Sequence, residues 1–542
     1  MTRSERIHRI LRCAIKGLCA FLLLWILGCL FFCYNQEYSC YTRKYFPSNP
    51  LMILLIALLI ASWVLIKKKV SFSCKGGFRA FTAKNFLPIL AVGSLLLFVL
   101  ELCISRHIYF YTGWDVKGLT DTALSASFED GLSIDFSLYT YKRYPNNLAL
   151  TLIFVFIKRI CDFLGTDPYF GFIVGSCLCI TLACFFTALC VEKLTKNRNV
   201  ALLVWVMSII LCGLSPWMTI PYSDSYGILF PVTSLFLYLS LRRAETLRSR
   251  ILLGIGFGAV SVFGYLIKPS AIVVFIAVVI IETLRFLFKK ETRKKILTSS
   301  VAVLLSAVAI FGTNTLVMRH FDLYGSPEQF GMTHWFMMGL NERTNGNIAV
   351  EDVDFSAAIE DPDERTSAEI QVAIERIKEK GASGMLRHTM KKTMTNFNDG
   401  RFGWGFEGPF YREMLPEKNG LSSFLRKLYY PSTGEYLDES RTFEKVNSIA
   451  HFIWLLSFAL NIIALLWKKK GERWEIGSER TVLWLALVGH ILFVMLFEAR
   501  GRYSFIYSPL VLVGASLAIA LLANIKKTDK KVVEETQSNT VK

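Results

Sequence analysis

Asp115, in "YTGWDVKGLT", and Asp224, in "SPWMTIPYSDSYGILFP", are carboxylates at the ends of long apolar runs. Two such acids at one membrane depth can divide labour, one as general base and the other as orienter or metal ligand. Lys268 in "GYLIKPSAIVV" and the pair Arg500 and Arg502 in "FEARGRYSFIYSP" are cations in the same setting. Guanidinium groups match phosphate oxygens, and a lysine turned into a helix bundle suits a lipid-linked phosphate. Each has a plainer alternative. The aspartates can cap helices, Lys268 can snorkel, and the arginines can touch headgroups on the lipid side. "YKRYPNNLAL" adds Lys142, Arg143, Asn146 and Asn147, and "FGMTHWFMMGLNERTNG" adds His334, as candidates for holding substrate. A lone His in such an apolar, aromatic patch is more often structural than catalytic. No HxxxH or CxxC spacing, no GxSxG elbow and no phosphate-binding Gly loop occurs, which argues against a soluble nucleotide donor and leaves open a divalent metal at the aspartates.

The elements that must position these groups are membrane helices. Of 542 residues, 53% are hydrophobic and only 19% charged, and the mean hydropathy is +0.42, beyond what a soluble domain carries. Stretches such as 297–318 and 503–523 supply the ~20 apolar residues that a ~30 Å hydrocarbon core requires. The segment "GLCAFLLLWILGCLFFC" lacks a small-residue cleavage site after it and reads as an uncleaved anchor. All thirteen cysteines lie at or before Cys212, mostly in apolar runs, so they read as buried thiols, with no disulfide framework in the long polar region after Met318.

The net charge of +18 does not point to nucleic acid. Basic residues gather in "KKKVSFSCKGGFRAFTAK", "RRAETLRSR", "KKETRKK", "KKKGERW" and "KKTDKK", the pattern of cytoplasmic loops. Placing 67–84 and 193–198 both inside demands an even number of crossings between them, yet 85–104, 146–165 and 169–190 are all apolar. The middle one carries Lys158, Arg159 and Asp162, each costing ~2.5–3.5 kcal/mol at the bilayer centre, so it is expected to lie in the outer interface as an amphipathic helix. Twelve crossings result, near 11–33, 51–66, 85–104, 169–190, 199–216, 223–241, 251–267, 270–288, 297–318, 450–467, 481–497 and 503–525, with both termini cytoplasmic.

The expected organisation is therefore an all-α polytopic membrane protein. Residues 1–104 hold the N-terminal crossings with an extra hairpin, 105–168 a first extracytoplasmic loop with the amphipathic helix, and 169–318 a transmembrane core. Residues 319–449 form a mainly helical outer region, 450–525 the last crossings, and 526–542 a cytoplasmic tail. In the outer region Thr366 and Glu369 fit a capping box, a second helix is expected near 383–396, and the Gly- and aromatic-rich "NFNDGRFGWGFEGPF" comes after it. No strong internal repeat is present, which counts against a transporter built from inverted halves.

Taken in order, "GWD", "RYPNNLAL…FLG" and "PYSDSYGILFP" resemble the GT-C superfamily of polytopic glycosyltransferases, near the family 39 and protein-mannosyltransferase-like enzymes. The resemblance covers most of the chain. The hairpin at 11–66 departs from the founding members, and "HWFMMGLNERTNGNIAVEDVDF" with "NDGRFGWG" looks like a Gram-positive subgroup. The resemblance implies a GT-C fold in the cell membrane and transfer, with inversion, of a sugar from a polyprenyl-phosphate donor to an acceptor outside. That acceptor would be a cell-wall polysaccharide, teichoic acid, glycolipid or protein. It further implies Asp115 as general base, Asp224 as the second acid, and Lys268, Arg500 and Arg502 around the leaving phosphate. Two alternatives stand beside it. An O-antigen-ligase or polymerase-like enzyme would lean on Arg and His of the late outer loop and tolerate Asp115→Asn. A lipid or polysaccharide transporter would place charges within several helices, where this chain has few.

Overall fold

The computed structural model describes residues 3–34, 45–69, 76–129, 131–407, 411–414, 419–430, 441–467 and 478–524. Asp130, residues 70–75 of the basic segment at 67–84, the whole of that at 468–474, and the tail at 526–542 lie outside the described residues. The chain is an all-α polytopic membrane protein.

Four helices precede the first loop: α1 Arg3–Phe32, α2 Asn49–Lys69, α3 Gly76–Lys84 and α4 Phe86–Ile108. The loop holds α5 Trp114–Leu124 and α6 Leu148–Leu164. The second of these is the amphipathic segment. It buries Leu148, Leu150, Thr151, Phe154 and Val155, while Phe156, Phe163 and Leu164 stay exposed. Lys158 and Asp162 pair on its outer face at 2.6 Å, an i,i+4 contact, and Gly165 ends it in a left-handed turn.

The core comprises α7 Pro168–Thr195, α8 Arg198–Ser208, α9 Ser223–Gly227, α10 Leu229–Leu241, α11 Leu247–Ile267, α12 Val273–Phe288 and α13 Arg293–His320. The segment between α13 and the last crossings contains α14 Met332–Gly339, α15 Val350–Ala357, α16 Pro362–Phe397, α17 Trp404–Glu407 and α18 Gly420–Tyr429; α19 Arg441–Leu466, α20 Glu479–Leu496 and α21 Ser508–Ala523 complete the chain. At the centre α7 packs on α4, α8, α10 and α21, and α21 also packs on α19. At the margin α13 rests mainly on α11.

Eleven helices among the described residues are long and apolar enough to cross a membrane. The crossing expected at 199–216 is shorter: an apolar helix over Arg198–Gly213 whose end, Ile209–Gly213, is a π-turn. Sixteen residues reach about 24 Å, short of a ~30 Å core. Beyond Gly213 the backbone is irregular yet almost wholly buried through Ile228, which is permitted at membrane depth only where protein surrounds it. The Asp224 corner is therefore interior to the protein.

The expected capping box does not form. Asp361 caps α16, accepting from the Asp363 and Glu364 amides. Thr366 donates to Pro362 O at 2.8 Å, and Glu369 faces Thr333 and Ser356. The two outer helices expected around 366–396 are one element broken at Gly381, φ 56°. A two-stranded ladder was not expected: β1 Phe110–Thr112 pairs antiparallel with β2 Tyr411–Met414, tying the first loop to the segment between α17 and α18.

Candidate functional site

Asp115 owes its place to the ladder. Immediately after β1, Gly113 caps α5 and Trp114 takes a left-handed φ of 47°, a conformation costing an aromatic residue about 1–2 kcal/mol. The Tyr169 hydroxyl, 3.0 Å from the Thr112 amide, and the burial of Val116, Leu119 and Ala123 hold the turn. Asp115 thus sits in the first turn of α5, where the helix dipole favours a carboxylate. Its Oδ2 accepts from Tyr222 Oη at 3.0 Å. The neighbouring acids separate from it: Asp121 pairs with Lys117 at 3.3 Å, and Glu129 is exposed.

Asp224 is fully buried on α9. Lys268 donates to its Oδ1, and Arg502 Nη1 reaches its Oδ2 at 3.1 Å. Lys268 ends α11 with extended backbone, and Pro269 prevents the helix from continuing. Arg502 lies in the 3₁₀ turn Gly501–Tyr507 before α21. Its guanidinium stands 4.5 Å from the Trp114 ring centroid and 5.1 Å from that of Tyr222, and Lys268 Nζ is 4.5 Å from the Tyr503 ring. Such cation–π contacts supply partners that do not consume the charge.

Beside them Glu498 accepts from Arg500 Nε at 2.7 Å and from Tyr503 Oη at 2.5 Å. Burial pushes the Glu498 carboxyl up, but Arg500, the Tyr503 bond and Arg502 outweigh it and hold the group below the usual carboxylate range. Burial, reinforced by Asp115, raises the Tyr222 phenol well above its ordinary value. Burial likewise pushes Tyr144 up to about 12, against the pull of Arg143. These phenols remain hydrogen-bond donors at neutral pH.

Asp115, Lys268, Glu498, Arg500 and Arg502 border one cavity of about 250 Å³, near the lower end of the ~300–1,000 Å³ typical of ligand pockets. Its remaining wall includes Tyr139, Tyr144, Asn146, Asn147 and Trp335, with Asn147 Nδ2 donating to Tyr139 Oη at 2.8 Å.

Of the ten candidates, Asp115, Lys268, Arg500, Arg502, Asn146 and Asn147 meet on this cavity. Asp224 stands behind it, holding two of the cations. The other three are not on its wall. Lys142 is exposed, and Arg143 packs its guanidinium 5.1 Å from the Phe330 ring centroid. His334 is buried with Nδ1 2.8 Å from Ser356 Oγ, whose hydroxyl is directed to Glu369 Oε1 at 2.8 Å; its neighbour Trp335 reaches the cavity instead. Glu498 stood beside Arg500 and Arg502 in the sequence without a role, and the tyrosines of the wall had none either. The only signal was an acid among outer arginines, and aromatic residues near apolar helix ends read equally well as an interface belt.

Among the described residues no group of three or more His, Cys, Asp or Glu side chains is arranged to hold a metal ion. Asp224, with one oxygen on each of two cations, does not fit a metal ligand, so no metal-dependent step is derived from this site.

A family model described as "Conserved hypothetical integral membrane protein" matches residues 6–521. No curated protein matches the chain. Among solved structures, ArnT from Cupriavidus metallidurans in the apo state is 9% identical, with 82% of this chain and 77% of that chain covered and a TM-score of 0.34. The same protein bound to undecaprenyl phosphate is 10% identical over the same shares, with a TM-score of 0.32. Likeness at that level establishes neither a common fold nor a common activity.

Proposed function

This chain belongs to the conserved hypothetical integral membrane protein family that it matches over residues 6–521, and we propose that it is a membrane glycosyltransferase of the GT-C type, moving a sugar from a polyprenyl-phosphate donor to an acceptor outside the cell. One observation carries the reading: a half-buried carboxylate, Asp115, opens on the same small cavity as Lys268, Arg500 and Arg502. Glycosyl transfer from a phosphate needs a base where the acceptor attacks and positive charge where the phosphate departs.

In this mechanism the acceptor nucleophile attacks the anomeric carbon from the face opposite the phosphate, its proton passing to Asp115. The new bond to the sugar forms as the sugar–phosphate oxygen bond breaks, so configuration inverts. The electron pair leaves on the polyprenyl phosphate, whose added charge falls on Lys268, Arg500 and Arg502. Tyr222 fixes Oδ2 of Asp115 and leaves Oδ1 for the acceptor. Asp224 is a positioning residue that aims Lys268 and Arg502. The small cavity suits one sugar unit, with the polyprenyl chain outside among the helices. In the orientation that goes with this role, both termini are cytoplasmic and the cavity faces outward.

The test is a membrane assay with a set of radiolabelled undecaprenyl-phosphate sugars and extracted envelope acceptors, comparing wild type with Asp115→Asn at matched expression. Transfer by wild type and its loss in the variant is the expected result; no transfer from any donor by wild type sinks the reading. Orientation is tested separately by Lys142→Cys in an otherwise cysteine-free chain, where protection from an impermeant thiol reagent in intact cells would overturn it.

A further inference from the structure

A second cavity, of about 460 Å³, lies between α10, α11, α12 and α13. It sits at the other end of these helices from the first: Ser223 and Lys268 border the polar cavity, whereas Leu241 and Arg250 border this one. Their charged ends are far apart, since Arg250 lies in the first turn of α11 and Lys268 just past its end, about 27 Å of helix away, whereas the apolar floor at Phe275 comes within five residues of Ser270. Phe257, Phe275, Val303 and Ala307 give it apolar walls. Four cations border it, Arg242, Arg250, Arg285 and Lys295, against a single carboxylate, Glu282. That carboxylate is already engaged, by Arg285 Nη1 at 2.7 and 2.6 Å to its two oxygens, by Tyr238 Oη at 2.6 Å and by Arg242 Nη1 at 3.4 Å.

One wall, α13, is held from one side only: it packs closely on α11, where Gly254 and Gly258 face Ala302, Val303 and Ser306. Only 6% of the apolar window of α13 is buried, the least of the eleven candidate crossings, and α13 meets α12 far less than α11. The gap between α12 and α13 therefore opens toward lipid, with a basic rim and an apolar floor. Scattered arginines at a helix end merely snorkel. Here they gather around one opening, and guanidinium groups arranged so bind phosphate with paired, charge-assisted hydrogen bonds.

We propose that this cavity binds an anionic phospholipid, its phosphodiester headgroup at Arg242, Arg250, Arg285 and Lys295 and one acyl chain in the gap between α12 and α13. The bound lipid fills the seam and fastens α13 to α12. Charge complementarity selects an anionic headgroup over a zwitterionic one, and the apolar floor selects a lipid over a soluble phosphate.

The test uses the full chain, delipidated in neutral detergent and returned to nanodiscs of phosphatidylcholine with or without phosphatidylglycerol. Lipid retention is read by native mass spectrometry and the melting temperature in parallel. Phosphatidylglycerol should be retained in preference to phosphatidylcholine and raise the melting temperature. Arg285→Gln with Lys295→Gln should cut retention roughly tenfold or more, since two cationic contacts are lost. Ala307→Trp fills the apolar arm with the charges intact and should also expel the lipid; it decides the matter should the double variant fail to fold. Equal retention of the two lipids, retention unchanged in Ala307→Trp, or equal stabilisation by free glycerol phosphate would overturn the proposal.

Discussion

Tyr222 Oη donates to Asp115 Oδ2 at 3.0 Å across 107 residues of chain. This bond joins the half-buried acid at the head of α5 to the buried segment that carries Asp224 two residues later, so both acids share one rigid support. The cluster they belong to is balanced: Asp115, Asp224 and Glu498 supply three negative charges, and Lys268, Arg500 and Arg502 three positive ones.

Asp115→Asn therefore separates binding from chemistry. Removing the base should lower transfer by about 10²–10⁴-fold. Because it also removes one of three negative charges beside the phosphate site, affinity for a polyprenyl-phosphate donor should hold or rise. Donor binding by microscale thermophoresis alongside transfer rates measures both, and weaker donor binding in the variant would contradict the assignment.

Asp224→Asn should behave differently. Lys268 and Arg502 would face an uncharged amide inside the protein, and breaking a buried pair by removing one partner costs about 3–5 kcal/mol. The melting temperature in detergent should drop clearly for Asp224→Asn and little for Asp115→Asn. Equal melting temperatures would place Asp224 outside the support described here.

Gly501 lets two backbones meet. A Cβ there would stand 3.0 Å from the Gly403 amide nitrogen and 3.2 Å from Phe402 C, and Phe402 and Gly403 are themselves in left-handed conformations. Gly501→Ala must push the 3₁₀ turn bearing Arg502 away from that loop. Transfer should fall by up to about a hundredfold, the scale of a 1 Å misplacement. Arg502 itself is untouched, so a normal rate in the alanine variant would show that the turn has slack.

Helices α14 and α16 carry a pH dependence. Burial lowers His334 and His388 from 6.5 to about 4. The unfolded chain binds protons at these positions between pH 6.5 and 4 while the folded chain does not, so stability rises with pH in that window. The contribution is complete above about 6.5 and is lost as pH falls toward 4. Protection from hydrogen exchange over α14 and α16, taken relative to the intrinsic amide rate at each pH, should fall between pH 7 and pH 5, and His334→Gln with His388→Gln should flatten the change.

The sequence by itself determined the membrane class, because apolar runs of span length have no other stable setting, and it determined α6, because its charges fall on one side of a 3.6-residue period. It also singled out Asp115, Lys268, Arg500 and Arg502, since a polar residue at the end of an apolar helix departs from its surroundings whatever the fold. Only the tertiary structure decided what each one does. Asp224 looked equivalent to Asp115 until the packing buried it between cations 44 and 278 residues away. Glu498 gained its place from the cavity that the 3₁₀ turn closes, and Asp115 its aim from a ladder pairing residues about three hundred apart. His334 and Arg143 lost theirs to partners between α13 and α16. The span at Arg198–Gly213 became shorter than a bilayer because surrounding helices, not lipid, satisfy the backbone beyond it. Periodicity and composition report which face of an element seeks apolar contact; which distant side chain neutralises a buried charge is set by packing, which a local pattern does not encode.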